Sequence, residues 1–208
     1  MVFDWDDFGA DKIISDMCQS HDCRDKLEEL KRINSSFKCT LFTIPAYMTL
    51  ELAAWAHDNR NWVELAVHGV NHDSNYECEK MSYGVFNADM EVVLDTFPQS
   101  FVKGFKAPGW QISDDIYKWL KDNGWWVADQ NYNTGRRPRE LPAYLNNSGV
   151  FYAPKPIEMH DMALWSPIEA WHGHTWDCVG NGIYETFDEV AKLVKGAKSF
   201  KFVSEVLK

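Results

Sequence analysis

The chain has 208 residues, 45% hydrophobic and 25% charged, proportions that suit a single globular domain over residues 1–208 and argue against disorder. Its 21 Lys and Arg against 31 Asp and Glu leave a net charge of −10, so neither a nucleic-acid backbone nor an anionic membrane surface is an expected partner. Five cysteines (Cys18, Cys23, Cys39, Cys78 and Cys178) form an odd set without a CxxC pair, and the opening residues carry no signal-peptide pattern; reduced thiols and a cytoplasmic location are therefore expected.

Residues 1–9 read as a short apolar strand with Asp4, Asp6 and Asp7 at its mouth. Like charges so close raise one another's pKa, so the cluster is best tolerated around a cation or where one member works as a base. Residues 20–34 follow as a helix, capped by Ser20 or Asp22, with Leu27, Leu30 and Ile33 at helical spacing. Strands are expected at 38–44, closed by Pro45, and at 61–67, ending in His68, with a helix capped by Thr49 at 49–59 between them. Then come a helix at 87–97, a strand at 101–107 before Pro108-Gly109, a helix at 112–123 stopped by Gly124, and a short strand at 125–128 ending in Asp129. Residues 130–167, rich in Asn, Pro, Gly and Arg, read mainly as long loops, with only 150–153 strand-like. A strand at 168–171 runs into His172 and His174, followed by a helix at 183–195 and a last strand at 200–204.

Alternating strands and helices imply βα units and an α/β fold with a parallel sheet. About seven such units form a closed or distorted barrel or an open doubly wound sheet, and both build their sites at the carboxyl ends of the strands. Asp6, Asp7, His68, Lys106, Asp129, His172 and His174 are all expected there. His68 and His72 stand four residues apart, so that one turn or tight loop aims both imidazoles at a single ion. Joined to a carboxylate of the first strand they make a two-His-one-carboxylate set with open positions, a catalytic rather than a structural pattern. His21, His57 and His160 have no partners in sequence and are expected at the surface. Arg136, Arg137 and Arg139 are expected in a solvated loop, Cys178 is expected to be an idle thiol, and most of the ten tryptophans are expected in the core, some on sugar rings.

In chain order, five segments resemble the motifs of the polysaccharide deacetylases, carbohydrate esterase family 4, related to the nodulation chitooligosaccharide deacetylase. Phe3 to Gly9 looks like Phe-Asp-Asp-Gly, His68-Gly-Val-Asn-His72 is similar to His-Ser/Thr-x-x-His, and Phe105-Lys-Ala-Pro-Gly109 resembles Phe-Arg-Pro-Pro-Tyr. Asp129 sits where an Asp pairs with the basic residue of that third motif, and Trp171 to Trp176 holds the histidine of the last. The resemblance implies a distorted (β/α)7 barrel, a divalent metal, most simply Zn2+, on Asp7, His68 and His72, and Asp6 as general base with Asp4 as a second candidate. It implies a groove wall of Pro108, Gly109 and Trp110 with the Gly109 N–H on the oxyanion, and Lys106 paired with Asp129. Either His172 or His174 is then the acid, His174 being preferred because His174-Thr-Trp-Asp resembles a run in allantoinase-like relatives. The function implied is de-N-acetylation of an amino sugar or glycan, with a small-molecule or oligosaccharide substrate. An allantoinase-like amidohydrolase and a catalytically idle glycan-binding module are the alternatives.

Overall fold

A computed structural model describes residues 1–11, 21–74, 76–129, 144–146, 170–176 and 182–206. Seven parallel strands, β1 (Val2–Phe8), β2 (Cys39–Thr43), β3 (Val63–His68), β4 (Gly104–Lys106), β5 (Trp126–Asp129), β6 (Tyr144–Asn146) and β7 (Ala170–His174), lie in the order β6-β5-β4-β3-β2-β1-β7. The sheet curls into a distorted β/α barrel, as the alternation of elements implies. Helices α1 (Arg24–Ile33), α2 (Leu50–Asp58), α3 (Tyr83–Thr96), α4 (Asp114–Asp122) and α5 (Phe187–Gly196) accompany it. None of the described helices is long and apolar enough to cross a membrane.

Strand periodicity sorts the side chains into two outer clusters and one inner cluster. From β1, Phe3 and Trp5 face outward and pack with Leu27 and Leu30 of α1 and with Val190 and Val194 of α5. Phe86 and Met90 of α3 and Trp119 of α4 cover Phe105 and Val127 in the same way. Burying each of these large side chains stabilises the fold by roughly 1.5–3 kcal/mol. Val2, Phe42, Ala66, Trp126, Ala128 and Ala170 instead fill the barrel interior together with Val203.

Helix starts follow side-chain caps more closely than apolar spacing. Thr49, Ser82 and Ser113 accept hydrogen bonds from the N–H groups of Leu52, Val85 and Ile116. Ser82 therefore starts α3 at Tyr83, ahead of the expected 87–97 span. The first helix begins later than expected, at Arg24, with Cys23 in the cap position and no side-chain cap bond; Asp22 is engaged by the Arg24 guanidinium at 2.7 Å. Two other expectations are corrected. Residues 144–146 form β6 inside the stretch read as loops. Residues 200–204 are not a strand: only Lys201 bridges to Val2, after which the chain turns across the amino end of the barrel. There the Val203 N–H donates to Thr40 Oγ1 at 2.9 Å and Ser204 bonds Glu64, so side chains of β2 and β3 take the hydrogen bonds that a sheet neighbour would have taken. The strand-like 150–153, His160, the three arginines at 136–139, Cys18, Cys178 and the side chain of Asp129 lie outside the described residues. Cys23, Cys39 and Cys78 are free and buried, in line with reduced thiols.

Candidate active site

The acidic residues lie within β1 rather than just beyond it. Alternation sends Asp4 and Asp6 into the barrel, and would send Asp7 outward with Trp5. It does not, because Asp7 takes a left-handed backbone (φ 70°) where the β1–β2 register shifts between Trp5 and Phe8. The turn brings Asp7 Oδ1 to 3.4 Å from His68 Nε2 and 3.1 Å from His72 Nε2. A left-handed non-glycine residue costs roughly 1–3 kcal/mol and persists only where its surroundings impose it. His72, at φ 53°, is a second such residue.

His68 ends β3. Its Nδ1 lies 3.1 Å from the Lys106 carbonyl, which can only accept, so Nδ1 carries the proton and the Nε2 lone pair is left facing Asp7. His72 arrives on a tight loop that starts at Gly69 (φ 62°), where a Cβ would stand 2.3 Å from a Glu77 carboxylate oxygen and 2.7 Å from Pro108 Cγ. Glu77 fixes that loop by accepting from the Val70 N–H at 2.5 Å.

Asp7, His68 and His72 place three ligand atoms within 4.8 Å of one another. Both imidazoles stand off the hydrogen-bond direction, so the buried Asp7 Oδ1 has no hydrogen-bond partner despite their proximity. Such an oxygen is costly unless a cation meets it, and the donor set suits a divalent ion with open positions. Burial alone would raise the Asp7 pKa, but the two histidines hold it well below the usual carboxylate range. For His72 burial works downward, and Asp7 outweighs it and raises the pKa.

A second polar set lies alongside. Lys106, fully buried, places Nζ 2.7 Å from Asp6 Oδ1, 3.2 Å from Asp4 Oδ1 and 3.2 Å from His172 Nδ1. The rings of Phe42 and Trp110 flank the ammonium at 4.5 and 4.3 Å from their centroids. Burial would raise the Asp6 pKa, but Lys106 first and His172 next bring it below its ordinary value, so Asp6 is ionised. Asp6, His172 and His174 also have metal-ligand spacing. In that set, however, the ammonium already supplies the positive charge, so the Asp7 set is the better cation site. The pairing expected between Lys106 and Asp129 rests on a side chain outside the described residues, whereas Asp4, not expected as a partner of Lys106, contacts it directly.

The last strand runs further than its apolar residues suggest, through His174, and pairs Asp4 with His172 and Asp6 with His174. His172 Nδ1 is 2.7 Å from Asp4 Oδ1 and 3.2 Å from Lys106 Nζ. The Asp4 contact is the shorter, so Nδ1–H belongs to Asp4, and the Lys106 ammonium, which can only donate, is a neighbour rather than a partner of that nitrogen. Nε2 of His172 then faces Asp6 Oδ2 at 3.6 Å. His174 stacks on Trp176 with centroids 4.1 Å apart; its Nδ1 is buried without a hydrogen bond, and burial pushes its pKa down to about 4. Of the groove wall, Pro108 is buried and Gly109 exposed, and consecutive left-handed residues, Gly109 (φ 57°) and Trp110 (φ 61°), turn the chain there. Trp110 caps Lys106 and meets His172 edge-on at 5.8 Å.

One histidine overturns its expectation. His21, expected at the surface, is 1% exposed and reaches the Asp7 carbonyl. Nothing in its local sequence signals this, since the contact spans 14 positions. His57 is exposed, as expected.

No protein-family model matches the sequence, and no curated protein matches it. Solved structures do. A peptidoglycan N-acetylglucosamine deacetylase matches with a TM-score of 0.58 at 13% identity, over 99% of this chain and 86% of that one. A family 4 acetyl xylan esterase from Clostridium thermocellum, solved with a cobalt ion, matches at 0.56 and 12%, over 99% and 88%. The fold is that of the family 4 carbohydrate esterases. That fold also carries a family 4 pseudoenzyme from Bacillus anthracis, at 0.56 and 12% over 99% of this chain and 64% of that one. In this chain the carboxyl ends of β1, β3, β4 and β7 bring Asp6, Asp7, His68, Lys106 and His172 within contact distance of one another.

Proposed function

We propose that the chain is a metal-dependent hydrolase of an acylated amine, acting as one catalytic domain that removes the acetyl group from an amino sugar or glycan. The observation that carries this reading is the buried Asp7 Oδ1, which lies between His68 and His72 without a hydrogen bond and one residue from an ionised Asp6. The similar folds of deacetylases and esterases support the substrate class.

Asp7, His68 and His72 would hold the ion, and zinc suits two imidazoles and one carboxylate. When bound, a divalent ion polarises an amide carbonyl and acidifies water. Asp6, kept ionised by Lys106, takes the proton from the attacking water. The Gly109 N–H would donate to the developing oxyanion, and Trp110 would wall the groove. His172 gives its proton to the leaving amine. Geometry favours it over His174, because Asp4 orients His172 through Nδ1 while burial keeps His174 neutral near pH 7.

The test is to load the protein with zinc and follow acetate and ammonia separately over N-acetylated amino sugars, chitooligosaccharides and cyclic ureides. Acetate without ammonia is expected from the first two classes. Ammonia or ring-opened product without acetate would make the protein an allantoinase-like amidohydrolase, and glycan binding without turnover would make it an idle module.

A further inference from the structure

His21 lies outside every motif and outside the chemistry above, yet it is as buried as the core aromatics. Its Nδ1 is 2.8 Å from the Asp7 carbonyl oxygen. A carbonyl only accepts, so Nδ1 carries the proton in that contact. The ring packs edge-on against Tyr47, 5.4 Å between centroids. Backbone contacts from the same two residues fasten the next turn of chain: the Gly9 N–H donates to the His21 carbonyl at 3.4 Å, and the Ala10 N–H to the Tyr47 carbonyl at 2.7 Å. A Cβ on Gly9 would stand 2.5 Å from Tyr47 Cβ, so residue 9 has to be glycine for this approach.

These contacts surround the one residue of β1 that breaks alternation. With an ordinary extended backbone, Asp7 would follow Trp5 and Phe3 to the outer face, away from His68 and His72. The left-handed conformation at Asp7 needs an external hold, and among the described residues His21 supplies the side-chain hydrogen bond to its carbonyl. We propose that His21 is a positioning residue for the metal-binding carboxylate: its Nδ1–H bond to the Asp7 carbonyl keeps Asp7 turned toward His68 and His72. The proposal rests on the reading of Asp7 as a metal ligand.

The experiment is a zinc titration of the metal-free full chain, in competition with a chromophoric chelator, for wild type, His21→Leu, His21→Asn and His21→Gln, with the melting temperature of each metal-free protein alongside. An Asn amide nitrogen occupies about the place of Nδ1, and a Gln amide nitrogen about that of Nε2. Loss of one buried hydrogen bond predicts zinc affinity weakened about three- to tenfold in the Leu and Gln variants, with the Asn variant within about twofold of wild type. Wild-type affinity in His21→Leu, or equal loss in Asn and Gln, overturns the proposal. If the Leu variant does not fold, the Asn and Gln variants decide it by the same criterion. A wild-type chain that takes up no zinc at all removes Asp7 as a ligand and the inference with it, a result distinct from unequal variants of a zinc-binding protein.

Discussion

Glu64 at the amino end of the barrel and Asp7 at the carboxyl end are both buried carboxylates, 7% and 2% exposed. Glu64 accepts from Thr40 Oγ1 at 2.9 Å and from the N–H and hydroxyl of Ser204. These donors are neutral, and burial outweighs them, so its pKa rises. Asp7 meets two imidazoles, keeps an oxygen without a hydrogen bond, and has its pKa driven down. Depth is the same and chemistry opposite. Neutral donors that satisfy a buried acid make it a strut, whereas an acid left without a hydrogen bond between two imidazoles is the seat we propose for a cation.

That contrast can be broken at several points. The largest effect is expected between adjacent residues of β1: Asp6→Asn lowers kcat by about 10²–10⁴ with zinc retained, as for loss of a general base, while Asp7→Asn loses zinc and turnover together. Zinc content with initial rates checks both, and a zinc-free Asp6→Asn would merge the two roles. Next, Lys106→Met leaves Asp4 and Asp6 buried without their ammonium and should cost roughly 3–5 kcal/mol in urea unfolding; an unchanged midpoint would show that the ion pairs carry no structural weight. Asp4→Asn comes third, with kcat down about 10–100-fold at unchanged zinc affinity and KM, since it loosens the orientation of His172 and removes one of the two carboxylates on Lys106 while leaving Asp7 untouched. His172→Asn should then be more damaging than His174→Asn, and the reverse order would return the acid role to His174.

The smallest effect belongs to the strut. Because the folded-state pKa of Glu64 lies above its ordinary 4.5, the native protein holds that proton more tightly than the unfolded chain. Its contribution to stability is therefore fullest below pH 4.5 and declines as pH rises through the folded value. Glu64→Gln keeps a neutral acceptor for Thr40 and should remove that decline, changing stability at neutral pH by about 1 kcal/mol or less. Unfolding of wild type and variant from pH 4.5 to 7 checks it, and parallel curves would show that Glu64 does not take up the proton.

Much of this was legible in the residues before any coordinates. The strand-helix alternation, the His68–His72 spacing and the neighbouring Asp6 and Asp7 are local patterns, and local patterns follow the periods of strand and helix. The corrections share a different origin. Residues 200–204 look like a strand, but their hydrogen bonds go to Thr40 and Glu64, some 140 to 163 positions away. His21 looks like a surface histidine until β1 and the Tyr47 turn close around it. Asp4 stands in the sequence only as a second candidate base, and its contacts with Lys106 and His172, 102 and 168 positions away, are invisible there.

The sequence by itself determined which residue types reach the carboxyl ends of the strands, because period-two alternation and strand order leave Asp6, His68, Lys106 and His172 little choice of face. Only the tertiary structure decided what each of them is. The left-handed turn at Asp7, the orphaned oxygen between two imidazoles and the ammonium shared by Asp4 and Asp6 come from contacts between strands far apart in the chain. Charge, burial and hydrogen bonding of a side chain are properties of its three-dimensional neighbours, and no local period encodes them.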